Sequence, residues 1–312
     1  MVGSSRGGLS IVGPVHVGDP ALADLRTHGY CIVPGFLAAA ELHQAREALW
    51  RNFPRPEDYF ADPGAAPHAR LARSQFAGNL RFPFGGWDLN RLAFHPDLVD
   101  AVERYLGRRD LALYKSELWA KYAGAIDYDQ PHHRDFGNHT IVVPRNDGAG
   151  AQITTFILLS DVTGPDGPTM IVPVGHTGHL PMVADDPEPG WWYSVRRGCF
   201  ADVEVPVVGS AGTLLMYRTD VFHRATNFGA PGRSRFVLLA DYVARGAPWA
   251  GKMAWPDSAL SPHWVQAIER MTVRERDLFG FPPPGDPYWN AQTLCDVQRR
   301  YPELDLAPYR PS

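Results

Sequence analysis

The spacing of apolar and polar residues divides the chain into three stretches. Residues 1 to 19 are rich in Gly and Ser and follow no period, which predicts a loose arm. Helical spacing then appears in "DPALADLRTH", which breaks at Gly29 before a short apolar strand, Tyr30 to Val33. A second helix is expected in "LAAAELHQAREALWRNF", where Leu37, Leu42, Ala45 and Leu49 fall on one face. Residues 53 to 87, dense in Pro, Gly and Phe, read as a long loop, and "HPDLVDAVERYLG" reads as a helix closed by Gly107.

From residue 110 the period changes to two. "LALYKSELWAKYA", "TIVV", "QITTFILLSDV", "PTMIVPV", "FADVEVPVV", "GTLLMY" and "RFVLLADYV" are short β-branched or aromatic runs separated by Gly, Pro and Asp. Strands at this spacing, with no helices between them, predict an antiparallel sandwich or barrel. "VEVPVVGSAGTLLMY" has the form of two strands joined by a Gly-Ser-Ala-Gly turn. After residue 246 the strand signal stops. Ser261 and Pro262 open a helix, "TVRE" has the form of a capping box, and a last helix stops before Pro302. The expected organisation is an arm over 1–19, a β-domain over 20–245, and a helical, aromatic extension over 246–312 packed on it.

Composition narrows the partners. The 312 residues are 45% hydrophobic and 21% charged, as expected of a globular chain with a sizeable core. A net charge of −4 argues against nucleic acid, and no apolar run reaches the ~20 residues of a membrane helix. Cys31, Cys199 and Cys295 are far apart and form no paired motif, so neither disulfides nor a Cys-based zinc site is expected. With no signal-peptide pattern at the start, the expectation is a soluble cytoplasmic protein.

The chemistry concentrates in "QPHHRDFGNH", residues 130 to 139. On a strand, residues i and i+2 share a face, so His133 and Asp135 can converge while His132 and Arg134 face away. His139 has the same parity as His133, beyond a Gly-Asn break. Histidine-rich loops also serve as surface features, so the H-x-D alone leaves both readings open. "GTLLMYRTDVFHRATNFGAPGRSRFVLLADY" adds weight to the metal reading: His223 follows an apolar strand, and Arg235 opens the next. A third ligand from a distant strand would complete a facial triad with open positions, and a guanidinium nearby suits the far carboxylate of a chelating organic acid.

The same segments, in order, resemble the phytanoyl-CoA dioxygenase-like branch of the Fe(II)/2-oxoglutarate-dependent oxygenases, over about residues 22 to 244. "HGYCIVPGFL" resembles the family's opening strand, and "HRD" its H-x-D. "DVTGPDGPTMIVPVGH" is similar to its Asp-turn-Gly-Pro-Thr segment, and "FHRATN" with Arg235 to its distal His, Asn and Arg. The resemblance implies a mainly β fold: a double-stranded β-helix (jelly roll, cupin-like) with flanking N-terminal helices and a helical C-terminal tail. It implies Fe(II) held by His133, Asp135 and His223, with 2-oxoglutarate and O₂ as cosubstrates. Arg235, with Arg233 as rival, would anchor the far carboxylate of 2-oxoglutarate, and Thr169 and Lys121 would face the same pocket. The chain departs from the family in lacking an aromatic before "HHRD" and in reading "PVGH" where Pro-Gly-Ser-His is usual. Hydroxylation is the expected outcome; a carboxylate at 135 disfavours halogenation. A zinc hydrolase built on the same three residues, or a jelly-roll binding protein without catalysis, are the competing readings. His132, His139, His176 and His179 are expected in supporting roles, and Trp192 and Tyr193 as a lid.

Overall fold

The computed structural model describes residues 16–126, 128–136, 152–246, 253, 255–258 and 261–310. The arm up to residue 15, the "TIVV" run and His139 lie outside the described residues.

Two antiparallel sheets make the core. The larger is built from β1 (Tyr30–Val33), β2 (Asn79–Arg81), β3 (Leu111–Tyr122), β4 (Gln152–Leu158), β7 (Leu214–Arg218) and β9 (Ser234–Ala244), in the order β1-β7-β4-β9-β3-β2. The smaller holds β5 (Met170–Ile171), β6 (Val205–Pro206) and β8 (His223–Arg224), in the order β6-β5-β8. This is a double-stranded β-helix whose sheet neighbours are distant in sequence.

The two faces of the large sheet follow from the period of two. Ile153 and Ile157, Leu214 and Met216, and Phe236, Leu238 and Tyr242 point to one side and join a core cluster with the helices. Phe156, Tyr217, Arg235, Val237 and Leu239 point to the other and line a cavity. In β3 the register against β9 shifts between Leu113 and Lys115. Such an irregularity swaps the face on which later residues fall. Leu111 and Leu113 therefore face the helices, whereas Lys115, Glu117, Trp119 and Lys121 all face the cavity. Full burial of each large apolar side chain on the helical side contributes ~1.5–3 kcal/mol, and this holds the cavity wall in place.

On that side, helix Asp19–His28 ends at Gly29, whose φ of 84° is left-handed; a Cβ there would lie 2.5 Å from Val174 and 2.6 Å from Val221. Helix Pro96–Leu106 ends at Gly107 in the same conformation, as its sequence predicts. Two expectations need correction. Residues 53–87 are not a plain loop: they hold helices Pro56–Ala61 and Ala66–Ala69, the 3-10 turn Arg70–Ala72 and strand β2. The helices are too short to show a period, and the three residues of β2 are ordered by pairing with the edge of β3. Nor do "VEVPVV" and "GTLLMY" form a hairpin, because β6 and β7 lie in different sheets.

In the C-terminal extension, Ser261 caps helix Pro262–Arg270, and Thr272 and Glu275 form the capping box of Val273–Leu278. Trp264, Trp289, Tyr301 and Tyr309 are buried in the same core cluster as Phe82 and Phe94. No helix among the described residues is long and apolar enough to cross a membrane.

Candidate metal centre and cavity

His133 and His223, ninety residues apart in the chain, are joined directly through the backbone. The His133 N–H donates to the His223 carbonyl at 2.9 Å, and the His223 N–H donates back at 3.0 Å. This is the hydrogen-bonded pair of an antiparallel ladder, which sets two side chains side by side on one face. Their rings lie 4.6 Å apart between centroids. Asp135 follows in a turn, and its Oδ1 lies 3.5 Å from Nε2 of His223 and 3.9 Å from Nε2 of His133. One donor atom from each of the three residues falls within 4.8 Å of the others.

The donors fit a divalent metal. The Nδ1 of His133 lies 3.0 Å from the Pro131 carbonyl, and that of His223 3.3 Å from the Val221 carbonyl. A proton on each Nδ1 satisfies those oxygens and leaves each Nε2 lone pair directed at the centre, the arrangement metal-binding histidines adopt. Burial, and then the neighbouring His223, push the His133 pKa down to about 4, so the ring is neutral at physiological pH. Tyr217, on β7, donates its hydroxyl to Oδ2 of Asp135 at 2.9 Å. Two imidazoles and one carboxylate on one side of a cavity leave coordination positions open, as the non-haem iron facial triad does.

A cavity of about 670 Å³ opens beside the three donors. Arg235 and Lys121 are cross-strand partners at one end of it. Arg235 donates to the Gly167 carbonyl, and burial holds its pKa below the ordinary arginine value. Arg233, its rival from the sequence, does not line the cavity; its side chain is 45% exposed and pairs with Asp166 at 3.4 Å. Lys121 donates to the Thr226 carbonyl at 2.7 Å and lies over the Tyr128 ring. Thr169 is also on the cavity wall. Trp119, Glu117 and Lys115 follow Lys121 in turn back along the same face of β3, with Arg81 in register with Glu117, and Trp191 and Tyr193 pack on His133.

The supporting histidines separate. His132 is buried, with its Nε2 2.7 Å from Glu204 Oε2, and Arg224 donates to both oxygens of the same carboxylate at 2.7 and 2.6 Å. His176 and His179 are exposed and away from the cavity. Of the expected lid pair, Tyr193 lines the cavity, while Trp192 is 48% exposed and packs on Phe136. Sequence reasoning missed Tyr217, Trp191 and Glu204. Parity along β7 offered a signal for Tyr217, since Leu214 and Met216 form the apolar face and Tyr217 must take the other.

A jelly roll with a His-Asp-His donor set at the mouth of its cavity defines a class of metal-site β-helix proteins. The chain belongs to the phytanoyl-CoA dioxygenase (PhyH) family, whose model matches residues 25–235. Several solved structures share the fold. The epimerase SnoN, in complex with Fe3+, alpha ketoglutarate and nogalamycin RO, is 24% identical, with 78% of this chain and 90% of that one covered and a TM-score of 0.53. The alpha ketoglutarate-dependent carbocyclase SnoK from nogalamycin biosynthesis is 18% identical, with 81% and 95% covered and a TM-score of 0.53. HygX from Streptomyces hygroscopicus, with nickel and 2-oxoglutarate bound, is 17% identical, with 76% and 96% covered and a TM-score of 0.53. No curated protein matches the chain.

Proposed function

We propose that the protein is a non-haem Fe(II)- and 2-oxoglutarate-dependent dioxygenase that hydroxylates a small-molecule metabolite. Substrate, 2-oxoglutarate and O₂ would give hydroxylated product, succinate and CO₂. The observation that carries this reading is the open three-donor set of His133, Asp135 and His223 with the half-buried guanidinium of Arg235 on the same cavity wall. A zinc hydrolase has no use for that guanidinium, whereas a cosubstrate with a second carboxylate does. Family membership and the cosubstrates named for SnoN and HygX support the same reading.

In this mechanism His133, Asp135 and His223 hold the iron, which with 2-oxoglutarate and O₂ supplies the oxidising chemistry. Arg235 grips the far carboxylate of 2-oxoglutarate, with Thr169 and Lys121 beside it. Phe156, Val237 and Leu239 keep that part of the cavity apolar, which excludes water and strengthens the ionic contact. The substrate would lie toward Glu117, Trp119, Trp191 and Tyr193. Desaturation, epimerisation or ring closure would use the same residues, so the substrate decides the outcome.

The test combines metal and turnover. Fe(II) added anaerobically should give a visible absorbance band that depends on 2-oxoglutarate, and small-metabolite pools should trigger succinate release. His133→Ala and Asp135→Ala should abolish substrate-dependent succinate formation while the far-UV circular dichroism is retained. Full activity in either variant, or a zinc-loaded protein with no cosubstrate-dependent band, overturns the proposal.

A further inference from the structure

Four strands of the large sheet carry a row of polar side chains across the face that lines the cavity. Lys115 on β3 is in register with Asp241 on β9, Asp241 with Thr154 on β4, and Thr154 with Tyr217 on β7. Residues in register on adjacent strands project to the same face, so the four form one line. They are 2%, 0%, 3% and 1% exposed, respectively. The next positions on the same face are Glu117 on β3, which lies 3.7 Å from Lys115 Nζ, and Leu239 on β9, Phe156 on β4 and Leu215 on β7. The row therefore borders apolar side chains on three of its four strands, where desolvation of an unbonded group would be costly.

Lys115 Nζ lies 3.4 Å from Asp241 Oδ2, and Thr154 stands in register between Asp241 and Tyr217. The Tyr217 hydroxyl reaches the carboxylate of Asp135 directly. It donates to Oδ2 of Asp135, whereas Oδ1 is the oxygen that approaches both histidine Nε2 atoms.

We infer that the Lys115–Asp241–Thr154–Tyr217 row is a positioning device that holds the Asp135 carboxylate so that it offers one oxygen, not two, to a metal. The inference rests on the reading of His133, Asp135 and His223 as ligands. An occupied Oδ2 keeps the carboxylate to a single coordination position and leaves the others to a chelating cosubstrate and O₂. Hydrogen-bond partners of ligating carboxylates act on metal affinity in this way.

Co(II) titration of the metal-stripped, full-length protein tests it, followed by d–d absorbance and by the melting temperature. Tyr217→Phe removes the donor and keeps the ring that packs on Phe156 at 5.5 Å. It should weaken Co(II) binding roughly 10–100-fold and change the d–d spectrum. Thr154→Val, which keeps the shape of the side chain, should shift both in the same direction by a smaller factor. If both variants bind Co(II) with wild-type affinity and spectrum, the row is only structural and the inference fails, whatever the melting temperature does. If the wild-type protein itself binds no Co(II), the metal-centre reading falls first and takes the inference with it.

Discussion

Arg235→Met separates the two arginines that flank Ser234. Methionine keeps much of the stem volume and removes the guanidinium from a cavity wall where water is scarce. A buried carboxylate that loses its charged, hydrogen-bonded partner costs about 2–5 kcal/mol. Taking about 3 kcal/mol at 1.4 kcal/mol per decade, the affinity for 2-oxoglutarate should fall roughly a hundredfold. Arg235→Lys should recover only part of this, because an ammonium cannot replace the two-pronged guanidinium. Arg233→Met should leave the affinity within about twofold: that side chain is 45% exposed and is already paired with Asp166, and exposed pairs contribute little. The assay is an anaerobic 2-oxoglutarate titration of the Fe(II) protein, read by its absorbance band, with melting temperatures to confirm folding. Wild-type affinity in Arg235→Met, or a large loss in Arg233→Met, refutes the reasoning.

Two further expectations concern stability. Trp264 is buried against Phe82 and Phe279, and its indole donates to the Tyr301 hydroxyl at 3.1 Å, so Trp264→Ala should cost about 3–5 kcal/mol in urea unfolding. It should do so within a single transition if the C-terminal extension and the β-core unfold together; a separate early transition would contradict that packing. For the metal-free protein, His133 has a folded pKa of about 4, against an ordinary value of 6.5. The unfolded chain thus takes up the proton first as pH falls. Stability contributed by the neutral ring is intact above ~6.5 and lost progressively down to ~4, amounting to about 2 kcal/mol between pH 7 and 5. His133→Gln should flatten that part of the profile, and an unchanged slope would argue against the shift.

The β-core is legible because period-two alternation separates the two faces of a strand, and apolar residues such as Ile153, Ile157, Leu214 and Leu238 recur on the helical face. The capping residues of the C-terminal helices were legible because their effect is local: Ser261 and Thr272 each bond an amide within three residues. Residues 53–87 were not, since β2 exists through its partner strand and nothing in its three residues announces that. The three candidate donors do converge, but strand parity is an incomplete reason for it. Strand parity brought His133 and Asp135 together, but Asp135 lies in a turn, and what fixes His133 is its mutual backbone pairing with His223. Tyr217 was missed because hydroxyl-to-carboxylate contacts between β7 and a turn eighty-two residues earlier leave no spacing to read.

Glu204 binds His132 and Arg224, the immediate neighbours of His133 and His223. One carboxylate on the far side of the backbone thus ties together the two segments whose opposite faces carry the imidazoles. The gap that the backbone pair sets between those imidazoles is thus braced from behind, by a buckle that does not line the cavity, so the wall near Trp119 can be reshaped for a different guest while that brace stays in place.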